Sequence, residues 1–254
     1  MDTKKIGIIG KQLSSADKKR TIIKKLVQII GQFGEAQFDQ YTAEILGKRK
    51  YFSREKLLDE CDLTITMGGD GTVLKAARSV QGRSPKILGI NLGNVGFLTE
   101  IHPNGLTQAL KKIQKDEFEL DKRFLLHIAV RRNNKEILDA QALNDAVINQ
   151  GSFARLLAMS VKINHQRAFT LRADGLIIAT PTGSTGHSLS AGGPVIHPEV
   201  NSMVINPLCP VLLSLRPMVI PGDSHIIIKI AEKEGQKTEV RLTLDGQLTH
   251  ELQH

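Results

Sequence analysis

Tryptophan is absent from this chain, and with two tyrosines and eight phenylalanines the aromatic share is 4%. Stacking platforms for single-stranded nucleic acid are therefore sparse, and no nucleic-acid partner is expected. Cysteine is equally scarce. Cys61 and Cys209 show no CxxC or metal-ligand spacing, so no zinc pattern exists and the pair reads as reduced thiols of a cytosolic protein. No apolar run approaches the roughly 18 residues needed to span a bilayer. The apolar stretch at residues 6–9 is too short for a signal-peptide core. A soluble, cytoplasmic protein without a membrane partner is expected. Acidic residues are in the minority, 26 against 34 Lys and Arg, for a net charge of +8. Such an excess suits polyanionic ligands such as nucleotides, although it describes a field and not a specificity.

Several familiar motifs are missing as well. No GxxxxGK[ST] is present, which excludes a P-loop ATPase, and no GxGxxG follows the first apolar run, which removes the usual dinucleotide fingerprint. Gly186-His187-Ser188-Leu189-Ser190 comes near the GxSxG nucleophile elbow, but Ser stands in its last position. It also follows a long Thr/Gly loop in a β-rich region, not a strand–helix turn, which disfavours a hydrolase.

What remains is ordinary for a globular protein, with 41% hydrophobic and 24% charged residues over 254 positions. Apolar runs at 6–9, 36–41, 63–67 and 87–90 predict strands. They alternate with predicted helices carrying Ile22, Ile23, Leu26, Ile29 and Ile30, and spanning 106–113. That alternation predicts a Rossmann-like parallel α/β sheet over residues 1–118. From 119 to 254 the runs 124–130, 142–148, 157–163, 168–171, 176–180, 225–230 and 239–244 are short and broken by turn residues. They predict a mainly β, sandwich-like second domain. The lysine-rich stretches Lys18-Lys19-Arg20 and Lys24-Lys25 read as the solvated face of the first helix.

Three constellations carry chemistry. Gly68-Gly69-Asp70-Gly71-Thr72 follows a strand and opens a helix, so a carboxylate stands among amides that favour anions. A base beside a phosphorylated substrate is the expectation. The loop Asn91-Leu92-Gly93-Asn94-Val95-Gly96-Phe97 leaves the same edge of the sheet, where ligands of such sheets bind. Residues 174–194 run from a buried strand into a segment dense in Gly, Ser and Thr, whose hydroxyls and open amides suit phosphates and ribose. The plain alternative is a turn-rich β connection. Asn144-Asp145 interrupts an apolar β run and is costly to bury without partners; a bulge or turn explains it as well as a site does.

Taken in this order, these residues resemble the NAD kinase family: the GGDGT motif at 68–72, an NE/D motif at Asn144-Asp145, and a DG…TPTGST…LSAGGP stretch at 174–194. The segment Pro207 to Arg216-Pro217 is similar to the family's P…LSxRP. The resemblance covers residues 5–250. GGDGT alone also occurs, in related forms, in diacylglycerol and sphingosine kinases and in phosphofructokinases, so a lipid or sugar kinase is an alternative. A non-catalytic nucleotide or nucleic-acid binder is another. The resemblance implies an α/β domain and a β domain with the site between them. It also implies transfer of the γ-phosphoryl of ATP, or of polyphosphate in some members, to the 2′-hydroxyl of the adenosine ribose of NAD.

Carried over by position, the resemblance makes Asp70 the proton acceptor, with Gly71 approaching NAD through its backbone and Phe97 lining the NAD pocket. Asn144 and Asp145 would bind the adenosine end, and Asp174 would read the nicotinamide amide. Arg155 and Arg172 would lie near NAD. Thr182, Thr185, Gly186, His187, Ser188, Leu189 and Ser190 would wrap the dinucleotide, and Gln247 would add a late polar contact. Gly68, Gly69 and Thr72 would meet the ATP phosphates. No dedicated metal cage is visible, so Mg²⁺ or another divalent ion is expected to ride on ATP. A homodimer or homotetramer is implied. Gly186-His187 departs from the usual Ala-Tyr, and Asp145 is the shorter acid of the NE/D pair. Relatives also continue past the equivalent of His254 with a further strand and a segment returning to the first domain.

Overall fold

The computed structural model describes residues 4–94, 96–151, 156–231 and 239–252. The chain separates into two units, Met1–Asp121 and Lys122–His254.

The first unit is built on four strands, β1 (Lys5–Gly10), β2 (Glu35–Phe38), β3 (Leu63–Gly68) and β4 (Ile87–Asn91), all parallel and ordered β2-β1-β3-β4. Every residue of β3 is buried, as expected of a parallel strand covered on both faces. Helices α1 (Lys19–Ile30), α2 (Gln40–Leu46), α3 (Arg54–Glu60), α4 (Asp70–Arg78) and α5 (Leu106–Gln114) supply the cover. α1 turns Ile23, Leu26 and Ile30 inward, and α5 adds Leu106, Leu110 and Ile113, against Ile6, Ile8, Ile65, Met67 and Ile90 of the strands. Lys24 and Lys25 lie exposed on the other side of α1. Strand order reverses between β1 and β3, so the turns after Gly10 and Gly68 diverge where open α/β sheets leave a crevice.

The predicted strand at 36–41 ends three residues early. Asp39 Oδ1 accepts the N–H of Thr42 at 2.9 Å and that of Gly10 at 3.2 Å, capping α2 and tying it to β1. Ser53 caps α3 in the same manner through Lys56 N. Neither helix was expected from the sequence.

The second unit contains β5 (Leu126–Arg132), β6 (Lys135–Ala142), β7 (Asp145–Gln150), β8 (Leu157–Ile163), β9 (Gln166–Ala173), β10 (Gly175–Ala179), β11 (Ser202–Leu208), β12 (Met218–Pro221), β13 (Ile226–Ile230), β14 (Val240–Leu244) and β15 (Leu248–Glu251), with one short helix, α6 (His187–Ser190). They form antiparallel sheets ordered β12-β11-β10-β7-β14-β15, β13-β8-β9 and β5-β6. β10 is buried throughout because both its faces are covered. Leu176 and Ile178 join the main core, while Ile177 and Ala179 pack with Val147, Ile196 and Val204 on the other side. Asn133-Asn134, Asn164-His165 and Asp245-Gly246 close hairpins with φ positive at both positions, as type I′ turns require. The predicted run 142–148 is broken: β6 ends at Ala142, and β7 starts at Asp145 in a different sheet. Asn144 thus lies in a sheet-crossing turn and Asp145 opens β7, so the pair is not the interior of a strand. β6, β11, β12 and β15 were not expected from the sequence.

Candidate active site

In the first unit, β3 delivers Asp70 to the first turn of α4, with Gly69 as the extended N-cap. The Asp70 carboxylate is gripped by the segment after β4. Phe97 N–H donates to Oδ2 at 2.9 Å, Leu98 N–H to Oδ1 at 3.1 Å and the Thr99 hydroxyl to Oδ1 at 2.9 Å. This approach explains Gly96, since a Cβ there would lie 2.2 Å from Asp70 Oδ1 and 2.5 Å from Oδ2. Gly68 is similarly required: its Cβ would stand 2.0 Å from Thr72 Oγ1. Thr72 is buried there, so its hydroxyl faces the strand, whereas the space around Gly69 is open. Phe97 is 77% exposed and is tied to Asp70 through its backbone N–H.

In the second unit, the turn between β6 and β7 is cradled from two directions. Asp245 accepts the N–H groups of Leu143, Asn144 and Asp145 at 3.3, 2.7 and 3.3 Å. From the end of β10, Thr180 Oγ1 donates to Leu143 O and accepts Gly183 N–H, while Thr180 N–H donates to Asn144 O at 2.8 Å. A Cβ on Gly183 would lie 2.0 Å from Asn144 O, so only glycine lets residues 181–186 dock on this turn. Asp145 is buried, and that burial pushes its carboxyl up to about 6, with the charge of Asp245 adding to the effect. It is a carboxyl that changes protonation close to neutral pH.

The Gly/Ser/Thr segment divides into inward and outward residues. Ser184 and Ser188 are fully buried. Ser184 Oγ bonds Pro181 O and Ile196 N, and the Asn206 side-chain amide donates to Ser188 O and Oγ and to Ala191 O. Their hydroxyls are therefore used within the protein. Gly186, His187, Leu189 and Ser190 are exposed, and Thr182 and Thr185 half-buried, with Arg123 donating to Thr182 Oγ1 at 3.3 Å. Gln247 is exposed in the β14–β15 turn, next to Asp245.

Not every expected residue joins this cluster. Asp174 is exposed just before β10 and Arg172 is exposed near the end of β9, whereas Asn144 and Asp145 adjoin the other end of β10, where Asp145 pairs with Ala179. At about 3.4 Å per residue, the rise of β10 from Asp174 to that end is roughly 17 Å. Arg155 lies outside the described residues. Asn91, Thr99, Thr180, Asn206 and Asp245 were missed from the sequence. Asn91 opens a loop already placed at the ligand edge, and Asp245 is half of an Asp-Gly hairpin signal. Among the described residues, no group of three or more His, Cys, Asp or Glu side chains could hold a metal ion.

A parallel α/β unit presenting a carboxylate at a helix start, followed by an antiparallel unit presenting Gly, Ser and Thr around a buried acid, fits a nucleotide-directed phosphotransferase. Family models for the ATP-NAD kinase N-terminal domain and C-terminal domain match residues 11–118 and 143–254. The chain belongs to the ATP-NAD kinase family. It is 44% identical over 201 residues to the NAD kinase of Geotalea daltonii, covering 79% of this chain and 70% of that protein. To the NAD kinase of Geobacter sulfurreducens it is 42% identical over 214 residues, covering 84% and 74%. Among solved structures, yeast NADH kinase complexed with NADH is similar at a TM-score of 0.87 and 26% identity, covering 96% of this chain and 74% of that one.

Proposed function

We propose that this protein transfers the γ-phosphoryl group of ATP to the 2′-hydroxyl of the adenosine ribose of NAD, giving NADP. The observation that carries this reading is the Asp70 carboxylate, fixed by three donors at the start of α4 beside the open Gly69. A ribose hydroxyl is a weak nucleophile. A positioned carboxylate that takes its proton late in the transition state contributes about 10²–10⁴-fold. The larger share comes from holding hydroxyl and phosphate in line, and from amides that neutralise the developing charge. Gly71 and Phe97 contribute NAD contacts, and Gly69, open where Gly68 is buried in the sheet, offers its amide to phosphate.

In the second unit, Asn144 and Asp145 take the adenosine end of NAD. Thr182, Thr185, Gly186, His187, Leu189 and Ser190 line the dinucleotide, with Ser188 supporting them from within and Gln247 close to the turn. Asp174, one strand-length away along β10, suits the far, nicotinamide end of an extended dinucleotide, and Arg172 stands two residues before it near the end of β9. Mg²⁺ would enter with ATP and supply charge neutralisation on the phosphates. The free thiols Cys61 and Cys209 support a reducing, cytoplasmic setting. Exposed Val211, Leu212, Leu213 and Val219 support a homo-oligomer, to be measured by light scattering.

The test is direct. Protein, Mg²⁺, ATP and NAD are mixed, and NADP is read with an NADP-specific dehydrogenase. Steady NADP formation is expected, and a folded protein that forms none refutes the proposal.

A further inference from the structure

Asp70 has two carboxylate oxygens, and the structure treats them differently. Oδ1 receives both the Leu98 N–H and the Thr99 hydroxyl, while Oδ2 receives only the Phe97 N–H among the described residues. A carboxylate oxygen offers two lone pairs. Oδ1 is therefore saturated, and Oδ2 keeps one acceptor site.

The saturation of Oδ1 is itself arranged. Thr99 is fully buried, and Asn91 is 3% exposed at the end of β4. The two protons of the Asn91 side-chain amide have three acceptors in reach, Asn94 O at 2.5 Å, Thr99 Oγ1 at 3.1 Å and Thr99 O at 3.2 Å, and its Oδ1 accepts Gly93 N–H at 2.7 Å. A hydroxyl has one proton. An ionised carboxylate only accepts, so that proton points at Asp70 Oδ1, and with Asn91 beside Thr99 Oγ1 a chain of contacts runs Asn91 to Thr99 to Asp70. Asn91 also lies beside Gly68 in the sheet register, so the relay is anchored on the strand pair that delivers Asp70.

We infer that Asn91 and Thr99 are positioning residues that act through Asp70: by filling Oδ1 they leave Oδ2 as the atom that takes the proton from the acceptor hydroxyl. This inference rests on the reading of Asp70 as the base. The relay orients a side chain and binds no substrate. Its loss therefore lowers turnover and leaves NAD affinity in place.

Thr99→Val removes the hydroxyl and keeps the shape. Its kcat for NADP formation should fall about 10- to 100-fold, the worth of one hydrogen bond to a charged group, while KM for NAD stays within twofold. Thr99→Ser, which keeps the hydroxyl, should restore most of the turnover. In an Asp70→Asn background, Thr99→Val should add no further loss to the residual rate, because the relay then has no carboxylate to aim. Melting curves confirm that each variant is folded; should Thr99→Val melt early, Thr99→Ala replaces it in the same comparison with Thr99→Ser. Wild-type kcat in the hydroxyl-free variant, an equal loss in Thr99→Ser, or a loss confined to KM overturns the inference while Asp70 keeps its role. Normal turnover in Asp70→Asn alone overturns the proposed base, and the relay with it.

Discussion

Asp70 and Asp145 are both carboxyls of the candidate site, yet their surroundings assign them different work. Asp70 is half-buried and directly bonded by Phe97, Leu98 and Thr99. Asp70→Asn keeps the size of the side chain but cannot accept a proton, so kcat should drop by about 10²–10⁴-fold. NAD affinity, measured by calorimetry, should remain within a few-fold; near-normal turnover would remove Asp70 from the mechanism. Asp145 responds to pH instead. Its carboxyl moves from 3.8 to about 6 on folding, chiefly through burial. Between those pH values the folded state holds a proton that the unfolded chain has released, so stability declines as pH rises through this window and is level above it. Asp145→Asn should therefore melt higher than wild type at pH 7, by on the order of 3 kcal/mol at most. The gap should close as pH is lowered towards 4. A gap that is constant across that range would show that the carboxyl is not the cause.

At the scale of elements, the segments that position the site are held by close backbone approach. Gly183 sits where a Cβ would meet Asn144 O at 2.0 Å. Gly183→Ala should push residues 181–186 off the β6–β7 turn and raise KM for NAD at least tenfold, with a far smaller change in Tm than a core substitution brings. Leu176→Ala in β10, at 0% exposure, supplies that comparison: large-to-small changes at such sites cost about 2–5 kcal/mol, read from denaturant unfolding. The same distinction explains what the sequence revealed. β1, β3, β4 and β10 were legible because continuous apolar runs mark strands covered on both faces. α2 and α3, seven residues each, depend on the Asp39 and Ser53 caps. Tyr41 and Thr42 carry β propensity, which the Asp39 cap overrides. β11 was hidden by Asn206 and Pro207, which read as breakers, and β12 and β15 are four-residue edge strands. Asp70 and the segment 180–190 were legible because glycine and hydroxyl residues concentrate there. Asn91, Thr99 and Asp245 were not. Asn91 folds back on its own loop, Thr99 reaches Asp70 from the next strand's exit, and Asp245 reaches the amides at 143–145 across about a hundred residues.

For the whole molecule, the quantity that matters is the net charge of +8, because both proposed substrates are anionic. Each unit closes its own core, so charge makes no demand on the fold, and exposed lysines such as Lys24 and Lys25 are free to contribute to the field. A positive field raises the encounter rate of an anion and leaves the bound complex largely unaffected. Its range is about 10 Å at 0.1 M salt and about 3 Å at 1 M. Raising KCl from 50 to 500 mM should therefore lower kcat/KM for ATP severalfold through KM, with kcat nearly constant. Polyanions in general would feel the same field, which makes nucleic acid the useful control. With aromatic residues at 4% and no tryptophan, stacking platforms are few. A single-stranded oligonucleotide at micromolar concentration and 150 mM salt should leave NADP formation unchanged. Salt acting on kcat alone would mean that the field does not guide substrate. Inhibition by the oligonucleotide that is relieved steeply by salt would instead reveal a polyanion surface overlapping the route to Asp70.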